Sequence, residues 1–175
     1  MTRTIEVLPY DREWPGFYQA EADKIAPILG ENLIALHHIG STSVPGLAAK
    51  PTIDILAVVK DLEQMDVLNL RLADLGYQPR GENGIAGRRY FDKKDGDVHL
   101  FHLHAFQENH PAIEEHLIFR DYLRSHPERC SEYAALKHDI AEIYKFEPVR
   151  YTDGKADFIQ KTIEAAKAWK NIGST

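Results

Sequence analysis

The apolar positions of this chain change period several times along its length, and each change predicts a different element. A helical period begins near Pro15, and the stretch NLIALHHIG that follows it predicts a strand ended by Gly40. The almost unbroken apolar run TIDILAVV, residues 52–59, is typical of a strand buried on both faces. A helical pattern then extends from about Leu62 to Leu75, and Gly76 is placed to cap it.

The second half of the chain predicts one hairpin followed by helices. GRRYFDKKDGDVHLFHLHAF has the pattern of two strands around a Lys-Lys-Asp-Gly turn. Pro111 suits the first turn of a helix, and helical spacing continues over about 112–125, 129–145 and 153–170. We therefore predict an α+β fold, a small mixed β-sheet with strand 52–59 at its centre, flanked by helices. The C-terminal helices should close one side of a pocket.

Composition narrows the class of protein. The 175 residues are enough for one well-packed domain, 1–175, and the net charge of −6 argues against long nucleic acid as a partner. The single cysteine, Cys130, excludes an intramolecular disulfide and fits a reducing compartment. We find no apolar run long enough to span a membrane and no signal-like N-terminus, so we expect a cytoplasmic protein without a membrane partner.

The loop after the first strand, GSTSVPGLAAK, has the composition of an anion-binding turn. Gly40, Ser41 and Thr42 are small enough for backbone N–H groups to approach a phosphate, and Lys50 adds a positive charge at the end of the loop. The same residues would also suit an ordinary turn between two strands. The loop is a candidate phosphate site if other cationic side chains lie close to it in the fold.

Asp54 interrupts the most apolar stretch of the chain. Strand alternation places it on one face with Leu56 and Val58, where an unpaired carboxylate would be costly. Such a side chain needs a cationic partner, hydrogen bonds from loop N–H groups, or a divalent metal. The phosphate-type loop just upstream favours a metal or substrate contact, because magnesium and its bound phosphates require acidic oxygens.

Several longer motifs resemble one protein family. HHIGSTSVPGLAAKPTIDIL, FRDYLRSHPE, YAALKHDIA and YTDGKADFI closely resemble the GrpB family, which is placed in the nucleotidyltransferase superfamily. The resemblance extends from VLPYDREWPGFYQAEA to about residue 166. It implies a nucleotidyltransferase-like sheet flanked by helices.

The superfamily pattern is a Gly-Ser pair followed by two carboxylates at alternate positions of a strand. Gly40 and Ser41 match the pair, Asp54 matches the first carboxylate, and Leu56 stands where the second is expected. In the superfamily the carboxylates hold magnesium ions for phosphoryl transfer. The resemblance therefore implies Asp54 as the catalytic residue and as a ligand of Mg²⁺, or of Mn²⁺.

Histidines on the second hairpin strand are further candidates for this pocket. His102 and His104 share one face of the strand and resemble a histidine-rich strand of GrpB relatives. Together with Asp54 they would form a transition-metal site, because imidazole favours such ions over magnesium. The alternative is a pair of partly exposed histidines whose rings are simply hydrogen-bonded.

Three cations lie on apolar stripes of the predicted C-terminal helices. Arg120, Lys137 and Lys155 sit in FRDYLR, YAALK and YTDGK, which all resemble GrpB motifs. We expect them to converge with Lys50 on a common anion pocket. Alternatively, each aliphatic stem covers apolar surface while its charged end reaches water or neutralises a carboxylate.

Two functions are consistent with these residues. The first is a nucleotidyltransferase, which would transfer a nucleoside monophosphate from an NTP to an unidentified acceptor with a divalent metal. The second is a module that binds a nucleotide or another phosphorylated metabolite in the same pocket without turnover. The approach of a second acid, such as Asp95 or Asp97, to Asp54 would favour the enzyme.

Overall fold

The computed structural model describes residues 4–173, and its framework is a five-stranded mixed sheet. The strand order is β1-β2-β5-β4-β3; β2 and β5 are parallel, and the other neighbouring pairs are antiparallel. The strands are β1 Leu33–Ile39, β2 Ile53–Val59, β3 Tyr77–Pro79, β4 Arg88–Asp95 and β5 Val98–Gln107.

Helices cover both faces of this sheet. They are α1 Trp14–Leu29, α2 Glu63–Val67, α3 Asn69–Asp74, α4 Pro111–Ser125, α5 Pro127–Ile143, α6 Pro148–Gly154 and α7 Ala156–Gly173. Proline occupies the first turn of α1, α4, α5 and α6, where its missing N–H would have no partner within the helix in any case. Among the described helices, none is long and apolar enough to cross a membrane.

The two faces of β2 have different surroundings. Ile53, Ile55 and Ala57 pack into the main core, to which α1, α2 and α3 contribute. Leu56 and Val58 point to the other face, where they join a smaller apolar cluster beside α4. Asp54 alternates with the first set, so it lies on the α4 face, outside the main core.

The α+β fold is confirmed, with some differences in detail. β2 is an interior strand, but β5 is the middle one, because the two halves of the sheet join through the parallel pair β2–β5. The predicted helix 62–75 is divided at Leu68 into α2 and α3, and α6 is a separate short helix before α7. Strand β3 is absent from the sequence prediction because its three residues are too few to show a period.

A buried ion pair connects the sheet with α1 on the core face. Lys93 Nζ lies 2.7 Å from Glu21 Oε1, and the Tyr77 hydroxyl donates a hydrogen bond of 2.9 Å to the same oxygen. Glu21 is only 3% exposed, and Lys24 Nζ is 3.9 Å from its second oxygen. The charge of this carboxylate is thus matched inside the protein.

Candidate functional site

A cavity of about 660 Å³ opens on the α4 face of the sheet. Its wall combines the turn after β1, the facing side chains of β2 and β5, and residues of α4 to α7. Polar members of the wall include Ser41, Lys50, Asp54, Lys137 and Lys155. These residues come from distant parts of the chain, so the fold builds one polar chamber from them.

The turn after β1 forms one end of the cavity. Residues 41–43 make a single 3-10 turn in which Ser43 N–H donates to the Gly40 carbonyl at 3.1 Å. Thr42 Oγ1 and His38 Nε2 are 2.9 Å apart and hold the turn against β1. Gly40 has φ of 73°, and a Cβ at this position would lie 2.6 Å from Asp54 Oδ2. The absence of a side chain therefore lets the carboxylate pack against the turn.

Gly40→Ala should destabilise the protein by about 2 kcal/mol, because the left-handed backbone is strained for alanine and the new methyl group collides with Asp54. Urea unfolding would measure this loss. Gly46→Ala is a matched control, since Gly46 also has positive φ but its new methyl group would meet no atom within 4 Å. Equal losses in the two variants would show that the Asp54 contact adds nothing.

Asp54 is held by two histidines of the neighbouring strand. In the parallel β2–β5 pair Asp54 lies opposite His102, and Leu56 lies opposite His104. His104 Nε2 is 3.0 Å from Asp54 Oδ1, and His102 Nδ1 is 3.5 Å from the same oxygen. Burial alone would raise the pKa of Asp54, but the hydrogen bonds from His102 and His104 outweigh it and hold this pKa far below its ordinary value.

The tautomer of His104 follows from its second contact. Arg88 Nη1 lies 3.4 Å from His104 Nδ1, and a guanidinium is always a donor. In a neutral His104 ring this contact makes Nδ1 the acceptor, and Nε2–H then donates to Asp54. Arg88 is 6% exposed and also donates to the carbonyls of Glu82 and Asn83. Arg88, His104 and Asp54 thus form a chain of hydrogen bonds along the cavity wall.

Lys137 of α5 is the most unusual side chain in the cavity. It is 1% exposed, and among the described residues its Nζ is the buried side-chain nitrogen that has no hydrogen-bond partner. The ammonium group lies over the Tyr133 ring, 4.6 Å from the centroid. Burial, the charge of Lys155 and the charge of Lys50 lower the pKa of Lys137 to about 7. A buried cation without a hydrogen-bond partner lowers the stability of the ligand-free protein.

Two further lysines share a second tyrosine ring. Lys155 Nζ is 4.6 Å and Lys50 Nζ is 5.4 Å from the Tyr151 centroid. Burial and the charge of Lys50 lower the pKa of Lys155 to about 8. The three lysines of the cavity therefore repel one another electrostatically, which is typical of a site for a polyanion.

Comparison with known proteins identifies the family of this chain. The profile of the GrpB family, described as "GrpB protein", matches residues 4–165. The chain belongs to the GrpB family. It is 43% identical over 168 residues to the UPF0157 protein YqkA of Bacillus subtilis, a match that covers 96% of this chain and 49% of YqkA. The chain thus spans about half the length of that relative.

Solved structures agree with this assignment. The crystal structure of conserved protein GrpB from Enterococcus faecalis superimposes with a TM-score of 0.89 at 38% identity, covering 94% of this chain and 99% of that one. The Cid1 poly(U) polymerase gives a TM-score of 0.52 at 16% identity, covering 75% of this chain and 42% of Cid1. At that identity the second likeness establishes the fold alone, which is nucleotidyltransferase-like.

Within this GrpB fold, most of the predicted site residues line the cavity. They are Gly40, Ser41, Thr42, Lys50, Asp54, His102, His104, Lys137 and Lys155. Arg120 does not line it, although it shares a stripe with Ile113 and Leu117 as expected. That stripe packs on the apolar cluster around Phe106, and the guanidinium donates to Asp121 and to the His38 carbonyl. The cavity instead receives the adjacent stripe of α4, to which His116 and Phe119 belong.

Several cavity residues are not identified by the sequence patterns. Tyr133 and Tyr151 each precede a cavity lysine by four residues, a helical spacing that would have indicated the two cation–ring contacts. His116 lies 5.7 Å from His104 between ring centroids, and burial lowers the pKa of His116 to about 4. Nothing in the spacing of His116 points to this contact across the cavity.

The cavity residues do not fit a two-magnesium centre. Leu56, in the position of the second acid, is fully buried in the apolar cluster with Ile39 and Phe106. Asp95 and Asp97 are not among the residues that line the cavity. Of the expected pair of strand carboxylates, Asp54 alone faces the cavity. Two magnesium ions would require more oxygen ligands than this carboxylate provides.

The transition-metal site stays a prediction. Asp54, His102 and His104 do come together, but His104 uses the nitrogen nearest to Asp54 to donate a hydrogen bond. Within residues 4–173, no three His, Cys, Asp or Glu side chains are arranged to hold a metal ion. In this arrangement both histidines contact the carboxylate oxygen Oδ1.

Proposed function

We propose that the cavity binds the phosphate groups of a nucleotide or of another phosphorylated metabolite. The observation that carries this proposal is Lys137, which faces the cavity. Its buried ammonium group has no hydrogen-bond partner within residues 4–173. An isolated buried cation costs several kcal/mol, roughly, and an anion beside it would remove that cost. Phosphate oxygens are suitable because each accepts charge-assisted hydrogen bonds.

The other groups around Lys137 support the same ligand. Lys50 and Lys155 add two ammonium groups, and the small residues of the Gly40–Ser41 turn leave room for a close approach. The cavity volume of about 660 Å³ is within the usual range for small-molecule sites. Ile85, Ile159 and Ile163 also line the wall, so a ligand with an apolar or aromatic part would be accommodated.

Nucleotidyl transfer is a second candidate, and one observation favours it. Asp54 faces the same cavity as the lysines and stands beside the Gly40–Ser41 turn, in a nucleotidyltransferase-like fold. The acceptor is unidentified. Release of pyrophosphate from a nucleoside triphosphate by the wild type, and its loss in Asp54→Asn, would establish transfer chemistry beyond binding.

Lys155→Met should weaken the binding of ATP and of inorganic pyrophosphate by about tenfold or more, since a charge-assisted hydrogen bond contributes about 1.5–3 kcal/mol. Lys161→Met is the matched control, because Lys161 lies on the neighbouring helix with its side chain 67% exposed and paired with Asp157. Calorimetry on both variants and on the wild type measures the affinities, and thermal shift gives an independent value.

The results distinguish the site from general electrostatics. Equal losses in Lys155→Met and Lys161→Met would mean that phosphate associates with the surface and not with the cavity. If the wild type binds no nucleotide, pyrophosphate or other phosphorylated probe, the proposed function is wrong.

A further inference from the structure

The positive charge of the cavity is supplied by the chain itself. Lys50, Lys137 and Lys155 come from the loop before β2, from α5 and from the end of α6, and all three line the cavity together with Arg88. Facing them are the carboxylates of Asp54 and Glu115. Glu115 is matched by Lys167, whose Nζ is 3.3 Å away, and Asp54 Oδ1 is already in contact with His102 and His104.

A divalent ion at Asp54 Oδ1 would have to compete with the two histidines. His104 Nε2 is 3.0 Å from Asp54 Oδ1, and His102 Nδ1 is 3.5 Å from the same oxygen. Oδ2 lies against Gly40, so closely that a methyl group added to this glycine would be only 2.6 Å away. Oδ1 is therefore already in contact with two histidines, and the turn at Gly40 limits the space beside Oδ2.

The place of a second ion is also closed. Leu56 has no exposed surface, and it packs between Ile39 of β1 and Phe106 of β5. An acid at this position would be buried among apolar side chains without a hydrogen-bond partner, whereas leucine completes the cluster. The position on β2 that would bind the second ion in a two-metal enzyme is therefore part of an apolar cluster in this protein.

We infer that the cavity recognises a di- or triphosphate group as the free polyanion, with the three lysines in the place that divalent cations would take. This inference rests on the proposed function, because it specifies the form in which the phosphates bind. A magnesium complex of the same ligand carries two fewer negative charges per ion, and it would bring a cation toward three ammonium groups that already repel one another.

The test compares the same probes with and without magnesium. Titration calorimetry would measure the affinity of wild-type protein for inorganic tripolyphosphate, pyrophosphate and ATP, once in EDTA and once in excess MgCl₂. Sodium chloride keeps the ionic strength equal in the two buffers, because salt alone weakens such contacts. We expect binding in EDTA to be tighter, by about three- to tenfold for tripolyphosphate, since each ion cancels two ligand charges.

Asp54→Asn provides the second measurement. The amide keeps the shape and still accepts the His104 hydrogen bond, but it removes a negative charge from the cavity wall. We expect its affinity in EDTA to equal or exceed that of the wild type, and its response to magnesium to be unchanged. Retained folding is checked by the thermal transition of the ligand-free variant.

Each outcome decides one of the two claims. Binding in EDTA at or above the strength seen in magnesium supports the inference. Binding that requires magnesium and disappears in Asp54→Asn would overturn the inference and would leave the proposed function intact. The absence of binding for every probe in both buffers would overturn the proposed function itself.

Discussion

Lys137→Met should unfold at a higher temperature than the wild type and bind phosphate-bearing ligands far more weakly. In the ligand-free protein Lys137 is 1% exposed, and its ammonium group has no hydrogen-bond partner in the described part of the chain. Methionine therefore removes a buried charge while keeping a side chain of similar length. We expect a gain of about 3 kcal/mol in the free energy of unfolding at pH 7. The affinity for pyrophosphate should fall by about thirtyfold or more, as for other truncated buried charge pairs.

The gain in stability should depend on pH in a defined direction. The pKa of Lys137 is lowered to about 7 in the folded state from 10.5, its ordinary value. Between these pH values the unfolded chain binds more protons, so the wild type gains stability from this group as the pH rises. The advantage of Lys137→Met should therefore be complete below pH 7 and should disappear as the pH approaches 10.5.

Calorimetric unfolding of the wild type and of Lys137→Met at pH 6 and pH 10 measures this dependence. Lys161→Met serves as the control, since its exposed ion pair should contribute less than about 1 kcal/mol at either pH. A Lys137→Met variant that is less stable than the wild type at pH 7 would show that Lys137 has a stabilising partner, and the main support for the phosphate site would be lost.

Lys93→Met should have the opposite effect on stability, a loss of about 3 kcal/mol, because it leaves the buried Glu21 carboxylate without its closest cation. Lys93 Nζ is 2.7 Å from Glu21 Oε1, whereas Lys24 is 3.9 Å from the other oxygen and only partly replaces it. The pair lies on the core face of the sheet, away from the cavity. The affinity for pyrophosphate should therefore remain within about twofold of the wild-type value, since distant sites are nearly independent.

A double variant separates the charge from the packing of Lys93. In Glu21→Gln/Lys93→Met the amide still accepts the Tyr77 hydroxyl, which donates to Glu21 at 2.9 Å, but no buried charge remains. We expect urea unfolding to show that the double variant recovers more than half of the loss. A double variant as unstable as Lys93→Met would assign the loss to packing of the lysine stem.

The two lysines make one physical argument together. Both are largely buried, and the same substitution should raise stability at Lys137 and lower it at Lys93. The difference is the partner: Glu21 matches Lys93 inside the protein, and for Lys137 the proposed partner is the ligand. A buried cation that lowers the stability of the ligand-free protein, and that a ligand would pair with, is typical of a binding site.

The amino-acid sequence by itself determined the order and type of the long elements. Strands β1, β2, β4 and β5 and helices α1, α4, α5 and α7 follow from hydrophobic period, proline at first turns and Gly40 at the end of β1. These signals are local, so they need no knowledge of neighbours in space. The GrpB motifs likewise identified the family and placed Gly40, Ser41, Asp54 and the lysines among the site candidates.

Only the tertiary structure decided what these candidates contact. A stripe of residues shows that a helix face is buried but not what it is buried against, which is why the sequence alone does not distinguish Arg120 from Lys137. The first packs on β1 and donates to the His38 carbonyl. The second lines the cavity and has no hydrogen-bond partner among the residues that the structure describes. Likewise, the parallel pairing of β2 with β5 brings Asp54 within hydrogen-bond reach of His104, 50 positions along the chain, and no local pattern encodes that register.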